Sequence, residues 1–258
     1  MEIKDRTIAL LIDSDNISGA YFSIILDQLS QYGKVTYRRL YGDFTNPQAN
    51  GWKSVLLEYS IEQIQQIAFT SGKNATDSKM IIDAMDILYR NNVDCFCLAT
   101  SDSDFTNLAM RFRNDNIVVI GAGEQKTPMA FRKACDIFIL MDELLKVNRK
   151  EKSDSEEKKS NGGKAEAEKL EWRNKKGMIR KAKKIVADGA DSGGWMHFPA
   201  FMNGIWREEN DFNPMLYGAK NSRPIPFFKS LTEAGKPVFR IEKINQIDLI
   251  RIDDTENR

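Results

Sequence analysis

The sequence predicts an α/β domain built on a mostly parallel β-sheet with helices on both faces, followed by a smaller α+β domain of winged-helix type. Three observations carry this. Between residues 7 and 142, short β-branched apolar runs alternate with amphipathic helical stretches across short turns, as in sheets buried on both faces. Between 148 and 169 apolar residues almost vanish. Beyond that gap the helical stretches come first, and two short alternating runs close the chain.

TIALLID (7–13) is a short apolar run that opens the sheet as a buried strand. Helical periodicity runs from Ser18 to Leu29, and KVTYRRLYGDF is a second, alternating strand. Asn50 to Ile61 reads as a helix, and Ile64, Ile67 and Phe69 suggest a short strand after it. From Asn74 to Arg90, Met80, Ile81, Ala84, Met85, Ile87 and Leu88 recur at three- and four-residue spacing, which predicts an amphipathic helix. DCFCLAT is the next strand, SDSDFTNLAMRFRNDN starts a helix, and NIVVIGAG and CDIFILMD are the last two strands. Residues 1–146 thus form the first domain, and the apolar-poor 147–168 a flexible charged linker that cannot offset its ordering entropy. In 169–258, Leu170–Ala187, PAFMNGIW and PIPFFKSLTEAG read as helices, SGGW as a turn, and PVFRIEK and IDLIRID as a closing hairpin.

Of 258 residues, 41% are hydrophobic and 29% charged, enough for two cores. The net charge of +1 says nothing about nucleic acid, so the distribution of charge has to be read instead. No stretch approaches the roughly 18 apolar residues of a membrane span. The first residues lack the order of a signal peptide, and Cys95, Cys97 and Cys135 lie in strand-like runs as reduced core residues. A cytoplasmic protein without a membrane partner is expected.

The chemistry concentrates in carboxylates. Ligands of an open parallel sheet collect beyond the carboxyl ends of its strands. Asp13 ends the first strand and Asp102 follows DCFCLAT, so both reach one crevice if those strands are neighbours. Asp104 sits in the next turn, and Asp77 near the start of the amphipathic helix. Carboxylates so gathered repel by about 4 kcal/mol per pair at roughly 4 Å. A hard divalent ion, Mg²⁺ or Mn²⁺, relieves this through oxygen ligation. Each carboxylate taken alone also reads as a helix cap or a solvated charge. Asp15 reads as a cap, and Asn16 either as a cap or as a group that steers a neighbouring carboxylate.

ALLIDSDN (9–16), GKNATDSKMIIDAMDILY (72–89), FCLATSDSDFTNLAMRFRNDNIVVIGAG (96–123) and TPMAFRKACDIFI (127–139) together resemble the NYN domain, a branch of the PIN-like nuclease superfamily. The resemblance implies a PIN-like Rossmannoid sheet and metal-dependent RNA cleavage that leaves 5′-phosphate and 3′-hydroxyl ends. It assigns the catalytic and metal-binding roles to Asp13, Asp77, Asp102 and Asp104, with Asn16, Ser101 and Ser103 supporting them and Lys73 near the substrate phosphate. Ser101 stands where the family usually has glycine. The stretch from Gly189 to Arg251 is similar to the LOTUS, or OST-type helix-turn-helix, domain. That resemblance implies an RNA-binding module, with G-rich RNA among its ligands, or a module that docks a protein partner. Its aromatics Trp195, Phe198, Phe201, Tyr217, Phe227 and Phe228 read mostly as core.

Other candidates for phosphate contact are Arg38 and Arg39 on the second strand and Arg111 after the acidic loop; Arg111 reads equally as helix-surface charge. KLEWRNKKGMIRKAKK (169–184) holds eight basic residues, among them Lys175, Lys176, Arg180, Lys181, Lys183 and Lys184. They would give RNA affinity a steep salt dependence, or else form a solvated face. Tyr37 or Tyr41 could stack on a base, with core packing the alternative. The only histidine, His197, lies in the second domain and reads as structural, which excludes cleavage by an imidazole pair. Gly121 and Gly123 complete neither a GxGxxG nor a P-loop pattern. The leading expectation is a metal-dependent ribonuclease targeted by its second domain, with a non-catalytic RNA-binding adaptor as the alternative. A metal phosphatase of small substrates comes third.

Overall fold

β1 (Thr7–Asp13) lies at the middle of the sheet because the run between its polar ends is wholly apolar: Ile8 to Ile12 are fully buried. The structure, a computed structural model, describes residues 6–45, 51–67, 75–157 and 172–253; for 150–157 it describes the backbone. Two compact units divide the chain, Met1–Leu145 and Lys146–Arg258.

In the first unit β1 is followed by a short 3-10 turn (Gly19–Tyr21), α1 (Phe22–Leu29), β2 (Lys34–Gly42), α2 (Lys53–Tyr59), β3 (Glu62–Gln65) and α3 (Ala75–Arg90). Then come β4 (Cys95–Ala99), a 3-10 turn (Ser103–Phe105), α4 (Thr106–Asn114), β5 (Val118–Gly123), α5 (Met129–Ala134), β6 (Ile137–Leu140) and α6 (Met141–Glu157), which starts in this unit and runs on past its end at Leu145. The six strands lie in the order β3-β2-β1-β4-β5-β6, all parallel. This is the PIN-like Rossmannoid arrangement, with helices on both faces. The chain winds outward from β1 in one direction, then returns to place β4 on its other side. That reversal opens a crevice at the carboxyl ends of β1 and β4.

Alternation along β1 divides the core. Ala9 and Leu11 join a buried cluster with Met80, Ala84 and Ile87 of α3, Leu108 and Phe112 of α4, and Phe131 of α5. Ile8, Leu10 and Ile12 are buried on the other side, where Phe22 of α1 meets Tyr59 edge-on with centroids 4.9 Å apart. Each such fully buried aliphatic side chain contributes about 1.5–3 kcal/mol. Cys95, Cys97 and Cys135 are free and buried, and burial pushes all three thiols up.

Several elements differ from expectation. α2 starts at Lys53 rather than Asn50 and stops where Ser60 turns left-handed, with φ 51°. β3 covers only 62–65, and Phe69 lies outside the described residues. α5 is a further short helix, led in by Pro128 at its N-cap. α6 continues through Glu157, into the stretch expected as linker, because its first turns are anchored by the buried Met141, Leu144 and Val147 and no glycine or proline follows before Asn161. The rest of that stretch, 158–168, lies outside the described residues.

The second unit is a small α+β fold. It contains α7 (Lys175–Gly189), β7 (Met196–His197), α8 (Phe198–Glu208), a 3-10 turn (Pro214–Tyr217), α9 (Pro224–Ser230), the two-residue strands β8 (Thr232–Glu233) and β9 (Lys236–Pro237), and β10 (Phe239–Ile244) and β11 (Ile247–Ile252). β10 and β11 form an antiparallel hairpin through Asn245 and Gln246, both left-handed as a tight two-residue turn requires. β7 pairs with β11, giving the sheet order β10-β11-β7 and a winged-helix-like arrangement. Its core is aromatic: Phe201 meets Phe228 edge-on at 4.8 Å, and Phe212 stacks on Phe228 at 5.6 Å. Phe198, Tyr217 and Phe227 are also buried, whereas Trp195 is half-exposed beneath the Arg251 guanidinium. His197 is exposed at the entry to α8.

Candidate metal centre

Strand register brings the carboxylates to one edge. Ile12 pairs with Ala99, so β1 and β4 end at the same level, and the next residues are Asp13 and Thr100. Asp13 is fully buried, yet its carboxylate has three donors: Asn16 Nδ2 at 2.7 Å, Thr100 Oγ1 at 2.9 Å and the Asp15 amide at 3.0 Å. Burial raises its pKa, against the lowering effect of these three donors. The Asn16 side chain is thus bonded to this carboxylate. Ser18 caps the following turn, and Asp15 stands exposed beside the crevice.

Past β4, the chain turns sharply into α4. Asp102 is the N-cap of that turn and accepts the Asp104 amide at 2.9 Å. The capping reading and the metal reading are thus compatible, since a cap uses only one of the two carboxylate oxygens. Asp104 is exposed in the same turn, and Asp77 comes in from the first turn of α3. Asp77, Asp102 and Asp104 each offer an oxygen, and all three oxygens lie within 4.8 Å of one another. Asp13 is not in that group of three, but its charge reaches it. Burial raises the Asp77 carboxyl from 3.8 to about 6, helped by the charges of Asp13, Asp102, Asp104 and Asp15. For half-buried Asp77 and Asp102 at this spacing the repulsion is about 3 kcal/mol before solvent screening. The donors are all hard carboxylate oxygens, which suits magnesium or manganese and not a soft ion.

The supporting residues fall around this edge. Ser101 is buried, and its Oγ accepts the Glu124 amide at 3.1 Å; Ser103 is exposed on the turn. Gly123 has a packing role: a Cβ there would lie 2.8 Å from the Thr100 carbonyl oxygen. Gly121 likewise makes room for Phe138 and Cys135. Thr100, fully buried between Asp13 and Asp102, escaped the sequence reasoning, because a threonine ending an apolar run looks like any β-branched strand residue.

The expected phosphate contacts are more scattered. Lys73 lies outside the described residues. Arg38 donates to the Tyr59 carbonyl at 2.9 Å, and Arg39 is held by Glu62 at 2.7 Å and Asp83 at 2.6 Å. Tyr41 is fully buried and donates to Asp83, while Tyr37 is half-buried and accepts from Asn92 at 2.8 Å. Arg111 pairs with Asp115 in the last turn of α4, away from the acidic turn that precedes it. On α7, Lys181 is bound to Glu209 at 2.8 Å and Lys183 to Glu233 at 2.5 Å. Lys175, Lys176, Arg180 and Lys184 are exposed, and the last three follow one another at four-residue spacing, a stripe along one side of the helix.

Comparison with known proteins agrees with the architecture. The NYN domain profile matches residues 7–142, more than half of the chain. The chain belongs to the NYN domain family. An uncharacterised protein of Methanocaldococcus jannaschii is 29% identical over 163 residues, covering 61% of this NYN protein and 63% of the relative. This NYN chain therefore spans somewhat under two thirds of that relative's length. Among solved structures, a Vibrio parahaemolyticus protein of unknown function is 21% identical, with a TM-score of 0.45, covering 55% of this chain and 95% of that one. MurG of Acinetobacter baumannii is 11% identical with a TM-score of 0.35, covering 52% and 40%. No helix among the described residues is long and apolar enough to cross a membrane.

Proposed function

We propose that this NYN protein is a cytoplasmic ribonuclease dependent on Mg²⁺ or Mn²⁺, whose second, LOTUS-like unit supplies RNA affinity. The observation that carries the reading is the gathering of Asp77, Asp102 and Asp104 oxygens within 4.8 Å at the strand-order reversal of an NYN domain. These residues would hold the ion, with Asp13 as the buried fourth charge oriented by Asn16 and Thr100. A bound divalent ion supplies positive charge against a phosphodiester and lowers the pKa of water at the site. The chain's own part is to present the carboxylates in a fixed frame at an open crevice.

Lys176, Arg180 and Lys184 would meet the RNA backbone, with Lys175 beside them. Lys73 is given a phosphate contact by the family resemblance alone, while Arg38, Arg39 and Arg111 would contribute to binding only on exchanging their present partners. The domain division that goes with this reading is 1–146, 147–168 and 169–258. The test is cleavage of a labelled single-stranded and a structured RNA in Mg²⁺, Mn²⁺ or EDTA, with Asp102→Asn as blank. Cleavage that needs the ion and is lost in the blank supports the reading. Binding without cleavage under every ion condition makes the protein an adaptor instead.

A further inference from the structure

We propose that Thr100 is a positioning residue, its single hydroxyl tying the carboxylate that ends β1 to the acidic turn that follows β4. This rests on the metal-dependent reading above. The hydroxyl has one proton. The hydroxyl donates that proton to Asp13 Oδ2, 2.9 Å away. The oxygen's lone pairs then face the Asp102 amide, which donates at 3.1 Å. Asp102 in turn accepts the Asp104 amide through its own carboxylate at 2.9 Å. Hydrogen bonds therefore run from the Asp13 carboxylate through the Thr100 hydroxyl to the Asp102 backbone amide, and from the Asp102 carboxylate to the Asp104 backbone amide, tying the end of β1 to the backbone of the acidic turn.

Thr100 is well placed to be the fixed point of these bonds. It is fully buried, so no water competes for its hydroxyl. Its amide donates to the Ala122 carbonyl of β5 at 3.0 Å, which holds the backbone in the sheet. The absent side chain of Gly123 lets β5 approach the Thr100 carbonyl closely. Asn16, the other side chain bonded to Asp13, is exposed on a turn and lacks this confinement.

Thr100→Val keeps the shape and removes the hydroxyl, whereas Thr100→Ser keeps the hydroxyl. The full chain of each is titrated with Mn²⁺, following the free ion by electron paramagnetic resonance, alongside a thermal melt and RNA cleavage. T100V is expected to bind Mn²⁺ roughly 10- to 100-fold more weakly and to lose kcat with KM for RNA little changed, as when a group that orients a metal ligand is lost. T100S is expected to restore affinity to near the wild-type value. A purely structural role would lower the melting temperature of T100V and leave the Mn²⁺ affinity of its folded form unchanged; that result overturns the inference, as does T100S binding no better than T100V. Should T100V not fold, T100A takes its place and the same comparison with T100S decides. Wild-type protein that takes up no Mn²⁺ would overturn the proposed function itself, and this inference with it. Equal uptake by wild type and T100V overturns the inference alone.

Discussion

In metal-free protein, Asp77→Asn should stabilise the first unit at neutral pH, although it deletes a charge from the proposed centre. The folded protein raises the Asp77 carboxyl from 3.8 to about 6, through burial first and then the charges of Asp13, Asp102, Asp104 and Asp15. The unfolded chain releases this proton near 3.8 and the folded one near 6. Stability from this group is therefore fully present below about pH 4 and is lost as pH rises to about 6. That difference corresponds to about 3 kcal/mol without screening. Asp77 is only half-buried, so solvent reduces it to about 1–2 kcal/mol. Asparagine also forfeits the attraction of a carboxylate to the first turn of α3, about 0.3–1 kcal/mol. The balance favours the variant by about 1 kcal/mol, or about 2–4 °C for a unit of this size. Calorimetry in EDTA from pH 4 to 8 reads it: the wild type should fall relative to the variant between pH 4 and 6 and stay below it. Mg²⁺ should then raise the wild type more than the variant, because binding to the folded state stabilises it. A variant that melts with or below the wild type at pH 8 in EDTA would refute the claim that repulsion at this cluster is stored in the fold.

Changing Asp13, Asp102 or Asp104 to Asn should each lower single-turnover cleavage by orders of magnitude. Double changes should cost far less than the product of the single losses, and Asp15→Asn should be mild. Near-wild-type cleavage by both the Asp13 and Asp102 variants would defeat the site. Replacing Lys176, Arg180 and Lys184 together with alanine should weaken RNA binding and reduce the slope of log affinity against log salt by about 2 on single strands. Replacing Lys181 and Lys183, which are held in ion pairs, should change that slope much less, and filter binding at several salt concentrations separates the two sets. Truncation after Glu157 should weaken RNA binding yet leave metal-dependent cleavage at saturating RNA; a folded but inert fragment would mean that the second unit helps to build the active site.

The long elements were legible in the sequence because their periodicity is local and strong: TIALLID, the Met80–Leu88 stripe and DCFCLAT each announce the face they bury. Placing Asp13 beside Asp102 required a guess about strand neighbours, which local pattern does not encode; the β1–β4 pairing bears it out. Two-residue β7 is too short to show a period, and α5 was hidden in six residues behind a proline. The basic residues were the least legible. Arg39 reads as a phosphate ligand until Glu62 and Asp83, 23 and 44 residues away, are seen to hold it. Lys181 and Lys184 look alike in sequence, and only the approach of Glu209 to one of them sets them apart.

The reversal of winding between β3 and β4 also orders events in time. Asp13 emerges early in synthesis, but its neighbour β4 follows more than eighty residues later, after three helices and two strands have been laid down on the other side. Pairings of such long separation form late, since the intervening loop must close before they yield any stabilisation. A nascent chain that ends before Ser101 holds Asp13 and Asp77 but lacks both the turn that carries Asp102 and Asp104 and the helix that packs behind it. The carboxylate centre is therefore absent until the chain has passed Ser101 and laid down the turn and the helix that follow β4.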